Sequence, residues 1–216
     1  MSAIRLHSFF RSSTSVRVRI ALGLKNIPYE YAAWNLREGE QSSPEFLAIN
    51  PQGLVPALEI DGVVLNQSIP IMEYLDERFP DPPLLPSDLP GKAKVRAIAA
   101  MIACEIHPLN NLRVLRHIQK RFGADTEAQG EWFRHWATGT LSVVDDMVGP
   151  SSPRKRFCHD NQPGLGDICI FAQLLNNRRF NLDNGQWPNL SRIFDECYSL
   201  PAFRNALPEV QPDADR

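Results

Sequence analysis

The sequence predicts an α+β fold in which a βαβαββα domain precedes an all-helical domain. Strand and helix patterns alternate over roughly the first eighty residues, as in small α/β domains, whereas only helical periodicity follows. Between these two parts, five prolines fall within residues 80–90 and indicate a semi-rigid connection. We therefore expect a first domain over residues 1–81, a proline-rich linker over 82–91 and a helical domain over 92–216.

The composition is that of an ordinary globular protein, with 43% hydrophobic residues, 22% charged residues and a net charge of −2. This charge gives no general attraction to nucleic acid or to anionic membranes, so neither is expected as a partner. No stretch has the apolar length of a signal peptide or of a membrane span. The four cysteines form no C-x-x-C pair and lack zinc-ligand spacing, which predicts reduced thiols, no metal site and a cytoplasmic protein.

The first domain is predicted to begin with a β-α-β unit. Apolar and polar residues alternate over 4–9, which is typical of a strand. Helical spacing then runs over 16–25, and Asn26 with Pro28 ends the helix. A second strand is predicted over 29–34.

The rest of this domain is predicted to hold a short helix, a hairpin and a final helix. The short helix lies around Phe46, and the strand over 54–60 has Pro56 near its start, where a proline is tolerated. The dipeptide Asp61-Gly62 is a strong hairpin signal. The last helix opens at Ser68, which we expect to be its N-cap.

Four helical stretches are predicted after the linker. The first carries an apolar stripe over 95–106 and either kinks or ends at Pro108. The second spans 126–148, with a buried face assigned to Trp132, Trp136, Val143 and Met147. The other two are predicted over 165–180 and 190–199. The polar tail from Pro208 onward is expected to fray.

Hydroxyl side chains cluster at the start of the first helix. Ser12, Ser13 and Thr14 precede its apolar pattern, with Arg11 beside them. Such residues serve as N-caps because their oxygens accept hydrogen bonds from free backbone N–H groups. The same N–H groups and the helix dipole attract an anion or a thiolate. On its own, the stretch is either a plain helix cap or part of a binding site.

Five motifs spread along the chain carry a family resemblance. They are Arg11–Leu22, Asn50–Pro56, Gln67–Leu75, His107–Leu112 and Arg178–Phe180. Together they resemble the zeta class of the cytosolic glutathione transferases, which includes the maleylacetoacetate and maleylpyruvate isomerases. The resemblance covers nearly the whole chain. It implies a thioredoxin-like first domain that binds glutathione as cofactor, a helical domain on the substrate side, and a homodimer.

Two positions depart from the pattern of the family. Thr14 stands where maleylacetoacetate isomerases usually have the cysteine of a Ser-Ser-Cys-Ser motif. This resembles the maleylpyruvate isomerases, as does Arg113. Gly164 stands where a serine or threonine normally caps a helix of the second domain. A glycine costs little at this position, so we expect Asp167 to keep its role at the helix start.

The resemblance implies which residues hold the cysteinyl part of glutathione. Ser12 or Ser13 would donate a hydrogen bond to the thiolate, with Thr14 beside them. The residues alone do not say which of the two serines matters more. The backbone of Val55, which precedes a cis Pro56 in this fold class, would pair with the cysteinyl residue like an added strand.

Further residues are implied for the two ends of glutathione. Gln67 and Ser68 would receive the γ-glutamyl carboxylate at a helix N-terminus. Gln41 is either a contact for the glycyl end or a solvated loop residue. His107 and Asn111 reach glutathione, or its copy on the partner subunit, or else make only structural hydrogen bonds.

The implied substrate is a dicarboxylate with a cis double bond. Reversible addition of the thiolate makes this bond single, and it rotates before elimination returns the trans isomer. Arginine forks suit both the carboxylates and the developing enolate. Arg11 and Arg179 are the expected substrate residues, although Arg179 also fits a surface charge at a helix C-terminus. Arg113 is either a third contact or a surface residue, whereas Arg17 and Arg19 are expected to be structural or interface residues.

Two other functions are compatible with this fold. A general transferase or peroxidase would use the same glutathione site on other electrophiles. A non-catalytic binding module would have no need of Arg11 and Arg179 together, which disfavours that alternative. The isomerase is therefore the leading hypothesis, and Thr14 slightly favours maleylpyruvate over maleylacetoacetate.

Overall fold

The computed structural model describes residues 4–150 and 155–215, which divide into two structural units. The first unit combines the chain up to Leu84 with the segment from Tyr198 onward, and the second spans Leu85–Cys197. None of the described helices is both long enough and apolar enough to cross a membrane.

A four-stranded mixed sheet organises the first unit. Its elements are β1 (Arg5–Ser8), α1 (Ser13–Leu24), β2 (Glu30–Ala33), α2 (Pro44–Ile49), β3 (Ala57–Ile60), β4 (Val63–Asn66) and α3 (Ser68–Arg78). The strands lie in the order β2-β1-β3-β4, with β1 and β2 parallel and the other neighbours antiparallel. The predicted βαβαββα order is confirmed.

Helix α1 buries two arginines beside its apolar residues. Arg19 donates to the Oγ of Ser8 at 3.1 Å and to the carbonyl oxygens of Phe10 and Ala206, both at 2.9 Å. A buried guanidinium is tolerated only when acceptors surround it, and backbone carbonyls supply them here. The expectation of a structural role for Arg19 agrees with these contacts.

The start of α3 differs from the prediction. Ser68 is the first residue of the helix and not its N-cap, which is Gln67. The side chain of Gln67 makes no capping hydrogen bond, and its φ of 65° lies in the left-handed region. The sharp turn from β4 into α3 therefore replaces the ordinary serine cap.

The second unit is built from helices. They are α4 (Leu89–Ala100), α5 (Leu112–Phe122), α6 (Thr126–Val148), α7 (Leu165–Asn177) and α8 (Pro188–Tyr198). Helix α4 begins inside the segment predicted as linker, because Asp88 caps it and accepts from the N–H of Gly91 at 2.7 Å. It continues as a π-helical segment, Met101–Ile106, and ends before Pro108, so the chain restarts at α5 and does not kink.

Helix α6 has the predicted bounds but buries another face. The predicted face is wrong, because Trp136 and Val143 are exposed while Trp132 and Met147 are only half-buried. The buried apolar residues are instead Phe133, Ala137, Leu141, Val144 and Val148. Both sets have helical spacing, so periodicity could not choose between them. The indole N–H of Trp132 donates to the carbonyl of Leu109 at 2.9 Å, a polar contact that suits a half-buried ring.

The start of α7 is held by one buried carboxylate. Asp167 accepts from the N–H groups of Gly164 at 2.9 Å and Cys158 at 2.8 Å, and its Oδ2 lies 3.4 Å from the Cys158 Sγ. Its role at the helix start is confirmed although Gly164 has no side chain. Burial raises the pKa of Asp167 to about 6 and raises the pKa of the Cys158 thiol. All four cysteines are free, as predicted, and only Cys104 is exposed.

The chain end returns to the first unit through α9 (Pro201–Arg204). The expectation that residues from Pro208 onward fray is wrong. Gln211 is buried and donates to the carbonyl of Leu207 at 2.8 Å. Asp213 accepts from the N–H of Phe10 at 3.0 Å and from the Tyr31 hydroxyl at 2.7 Å. The tail is therefore fixed to the loop that precedes α1.

Candidate active site

The hydroxyl groups at the start of α1 form a hydrogen-bonded chain. Ser12 caps the helix, and its Oγ accepts from the N–H of Ser15 at 3.2 Å. The Thr14 hydroxyl donates to the carbonyl of Val55 at 3.1 Å. Since Thr14 has a single hydroxyl proton, Ser12 must be the donor in the 2.8 Å contact between the two hydroxyls. The chain of donors therefore runs from Ser12 through Thr14 to Val55.

The first turn of α1 contains no acidic residue. The positive end of the helix dipole is thus not neutralised by a carboxylate of that turn. Ser13 is buried in this turn, whereas Ser12 and Thr14 are half-buried. A sulfur atom placed against the turn would meet hydroxyl donors and backbone N–H groups, both of which favour the thiolate over the thiol.

Val55 and Pro56 are joined by a cis peptide bond, as the resemblance implied. β3 begins at the next residue, Ala57. The Val55 side chain packs in an apolar cluster that also contains Phe9, Phe10 and Phe46. Together with the Thr14 hydrogen bond, this packing fixes the start of α1 beside the backbone that precedes β3.

The start of α3 holds the next two predicted residues. The Gln67 Nε2 donates to the Oε1 of Gln52 at 2.7 Å. Ser68 is buried, and its Oγ accepts from the Nη1 of Arg17 at 3.2 Å. Neither Gln52 nor Arg17 was predicted from the sequence to belong to the site. Both lie inside the motifs that carry the family resemblance, and this was the signal available for finding them.

Gln41 lies in a short 3-10 turn, Glu40–Ser42. Its Oε1 is buried and accepts no hydrogen bond from the described residues. Its backbone also packs closely on Gly53, where φ is +65° and a Cβ would come within 3.2 Å of the Gln41 carbonyl oxygen. A ligand N–H placed beside Oε1 would satisfy this acceptor.

Arg11 extends from the loop that precedes α1, with a side chain 42% exposed. Its Nη2 lies 3.4 Å from the Oδ2 of Asp215. The same oxygen accepts from Arg37 at 2.8 Å, and this hydrogen bond lowers the pKa of Asp215. The Arg11 guanidinium also lies 5.3 Å from the centre of the Phe10 ring. Much of its fork remains open to solvent.

The other four predicted residues belong to the second unit. Asn111 caps α5 by accepting from the N–H of Arg113 at 3.1 Å, and its Nδ2 lies 3.4 Å from the Nε2 of His107. Arg113 is exposed. Arg179 lies in a 3-10 turn, donates to the Oδ1 of Asn176 at 3.2 Å and stands over its neighbouring phenylalanine ring. Across the described part of the chain, no group of three or more His, Cys, Asp or Glu is placed to hold a metal ion.

This chain is similar to known proteins along nearly its whole length. Residues 11–78 match the family profile of the glutathione S-transferase N-terminal domain. Maleylpyruvate isomerase from Ralstonia sp. is 41% identical over 211 residues, which cover 98% of this chain and 100% of that protein. Maleylacetoacetate isomerase from Pseudomonas aeruginosa is 41% identical over 213 residues, which cover 97% of this chain and 98% of that protein.

A solved structure extends the similarity to three dimensions. The holo structure of a maleylpyruvate isomerase, a bacterial glutathione S-transferase in the zeta class, matches with a TM-score of 0.95 and 41% identity. The match covers 98% of this chain and 100% of that one.

A second structure, of maleylacetoacetate isomerase from Methylobacterium extorquens AM1 with bound malonate and GSH, has a TM-score of 0.93 and 35% identity. It covers the same shares of the two chains. With two relatives 41% identical over nearly their full length, the chain belongs to the zeta class of the glutathione transferases, the family of the maleylpyruvate and maleylacetoacetate isomerases.

Proposed function

We propose that this chain is a glutathione-dependent isomerase that converts a maleyl dicarboxylate, maleylpyruvate or maleylacetoacetate, into its fumaryl isomer. The observation that carries the proposal is the acid-free start of α1 with its chain of hydroxyl donors. Thr14, in the position of the cysteine of maleylacetoacetate isomerases, favours maleylpyruvate as the substrate.

Glutathione fits the donors and acceptors that the first unit offers. The buried Gln41 Oε1 is an acceptor for the amide N–H of the glycyl residue, and the backbone of Val55 is a partner for the cysteinyl residue. Gln67 and Ser68 at the start of α3 suit the γ-glutamyl carboxylate. When bound, glutathione supplies a thiolate that adds reversibly to the double bond and so permits its rotation.

The serines at the start of α1 would stabilise this thiolate. Ser12 can turn its hydroxyl proton from Thr14 to the sulfur while the bond from Thr14 to Val55 stays intact. Thr14 would thus keep the start of α1 bonded to Val55, and the Ser12 hydroxyl would rotate to donate to the sulfur. Ser13 is the second candidate donor of the same turn.

Arginines would bind the two carboxylates and the enolate oxygen of the substrate. Arg11 offers an exposed guanidinium beside the start of α1. Arg179 and Arg113 are the candidates on the second unit, and His107 with Asn111 would reach glutathione. We propose accordingly that residues 1–81 bind glutathione and that residues 92–216 provide the substrate side, although the segment from Tyr198 onward belongs to the first unit.

An absorbance assay tests the reaction. Purified protein with a catalytic amount of glutathione should change the ultraviolet spectrum of maleylpyruvate to that of fumarylpyruvate, without consumption of glutathione. No change beyond the blank, together with clear conjugation of a chlorinated aromatic, would identify a general transferase instead. Arg179→Ala should lower turnover, whereas the neighbouring Arg178→Ala, which removes a contact with the Phe194 ring, is the matched control.

The family resemblance also supports a homodimer that works in the cytoplasm in the breakdown of aromatic compounds. Light scattering should then give twice the mass of the chain. A monomer that isomerises at full rate would contradict the dimer and leave the proposed reaction intact.

A further inference from the structure

Arg17 connects the middle of α1 to the start of α3. It is 1% exposed, although a guanidinium is among the most costly groups to bury. Its Nη1 lies 3.2 Å from the Oγ of Ser68, which is itself only 4% exposed. This hydrogen bond joins two side chains that are 51 positions apart in the sequence.

The chemistry of the two groups fixes the direction of this hydrogen bond. A guanidinium has five N–H donors and no acceptor, so the Ser68 oxygen must accept. The single hydroxyl proton of Ser68 is therefore left for another acceptor. A serine inside a helix often gives this proton to the carbonyl four residues earlier. Ser68 is the first residue of α3, and the residue four positions earlier is Val64 of β4, outside the helix.

Arg19 lies two positions after Arg17 on α1 and is an example of an arginine with a purely structural role. It has almost the same burial, but it donates to backbone carbonyls of Phe10 and Ala206 and to the hydroxyl of Ser8. Those contacts join segments of the first unit. The hydrogen bond from Arg17 instead reaches Ser68, at the start of α3. The proposed function assigns this helix start to the γ-glutamyl carboxylate.

We propose that Arg17 is a positioning residue for glutathione. It holds the Ser68 hydroxyl as an acceptor, so that the hydroxyl proton is directed to the γ-glutamyl carboxylate. It also places a permanent positive charge beneath the helix start where this carboxylate binds, which adds to the helix dipole. The inference rests on the proposed function, because it assumes that glutathione occupies this site.

The test compares glutathione with an analogue that lacks the γ-glutamyl α-carboxylate, by calorimetry on the full-length protein without substrate. Arg17→Met should weaken glutathione binding roughly tenfold to hundredfold, as expected for a lost charged hydrogen bond, and leave analogue binding unchanged within about twofold. Arg17→Lys should restore part of the affinity for glutathione. The double variant Arg17→Met/Ser68→Ala should bind glutathione about as weakly as the worse single variant.

Val18→Ala is the matched control, because Val18 is fully buried on the same helix and its apolar side chain has no hydrogen bond to offer Ser68. It should lower the melting temperature and leave the ratio of the two affinities unchanged. Equal losses for glutathione and the analogue in Arg17→Met would show a merely structural role and overturn the proposal. If Arg17→Met does not fold, the ratio of the affinities for glutathione and the analogue is measured in Arg17→Lys and Ser68→Ala instead. A ratio that is unchanged in both variants overturns the proposal.

The outcome is separate from the test of the reaction. Binding that depends on Arg17 and on the carboxylate, in a protein that does not isomerise maleylpyruvate, would refute the proposed reaction alone. Isomerase activity in the parent protein, together with an affinity ratio that is the same in the parent and in the Arg17 variants, would refute this inference alone.

Discussion

The starts of α1 and α7 are two helix N-termini with opposite electrostatic surroundings, because the first turn of α7 contains the buried Asp167 and the first turn of α1 contains no acidic residue. At α7 the sulfur is the protein's own Cys158, which is buried against the carboxylate of Asp167. Burial and the neighbouring Asp167 raise the pKa of that thiol. At α1 the proposed sulfur belongs to glutathione, and the first turn offers hydroxyls and no carboxylate.

The difference shows that a helix N-terminus does not by itself make a thiol acidic. Its partial charge is about half a unit, which one nearby carboxylate more than cancels. At α7 the N–H groups of Gly164 and Cys158 are already bound to Asp167. We therefore expect the composition of the first turn to decide whether the helix start stabilises a thiolate.

The largest effect is expected when a carboxylate is introduced into the first turn of α1, as Asp167 is present in the first turn of α7. Thr14→Asp places a carboxylate in the first turn, near the proposed sulfur. Two charges about 4 Å apart at an effective dielectric constant of about 20 repel by roughly 4 kcal/mol. We expect the pKa of bound glutathione to rise and kcat/KM to fall by two to three orders of magnitude, as measured by thiolate absorbance against pH and by turnover.

Thr14→Asn is the control, because its amide can still donate to the Val55 carbonyl but has no charge. It should keep the pKa of bound glutathione close to that of the parent protein. If the aspartate and asparagine variants lose activity equally, the missing hydroxyl and not the added charge would explain the loss, and the comparison between the helix starts would fail.

A smaller effect is expected from removing the acid at α7. The pKa of Asp167 is raised to about 6, above the ordinary value near 3.9, so the folded state binds this proton more tightly than the unfolded state. Its contribution to stability is present at low pH and is lost as the pH rises through 6. The free energy of unfolding of the parent protein, relative to Asp167→Asn, should therefore increase by about 2–3 kcal/mol between pH 7 and pH 4.

Urea unfolding at several pH values measures this difference. Cys158→Ala should retain most of the pH dependence, because burial is the main cause of the raised pKa of Asp167. A difference between the parent protein and Asp167→Asn that stays constant with pH would show that Asp167 is ionised throughout this range in the folded state.

The smallest effect is expected at the exposed carboxylate near α1. Asp215 contacts Arg11 and Arg37 in an ion cluster that is open to solvent, where such pairs contribute little. Asp215→Asn should lower KM for the dicarboxylate by less than about fivefold, because Arg11 loses a competing carboxylate. The pKa of bound glutathione should not change. An increase in KM would mean that Asp215 orients Arg11 for the substrate.

Local signals in the sequence were enough to predict most elements. The bounds of α6 were predicted correctly, since Asp125 and Gly149 are good cap residues at its two ends. The βαβαββα order followed from alternation and turn residues. The hydroxyl cluster at Ser12 was found for the same reason, because capping chemistry is readable within a few positions.

Features that depend on distant partners could not be predicted in this way. The buried face of α6 was missed because two stripes of equal periodicity compete, and only the packing of the unit selects one. The tail was missed because Asp213 meets Phe10 from 203 positions away. The same holds for Arg17, whose partner Ser68 lies on another helix, and for the turn at Gln67 that displaces the serine cap.

The attachment of the chain end to the first unit matters for how the protein is synthesised. Domains generally fold in order as the chain emerges from the ribosome, the N-terminal one first. In this chain the hydrogen bond from the Phe10 N–H to Asp213 cannot form until Asp213 has been translated. The same holds for the hydrogen bond from the buried guanidinium of Arg19 to the Ala206 carbonyl. The loop that precedes α1 therefore gains these contacts only after residues 206–213 have been translated. A chain that ended before Ala206 would therefore lack both an acceptor for the buried Arg19 guanidinium and the acceptor for the Phe10 N–H.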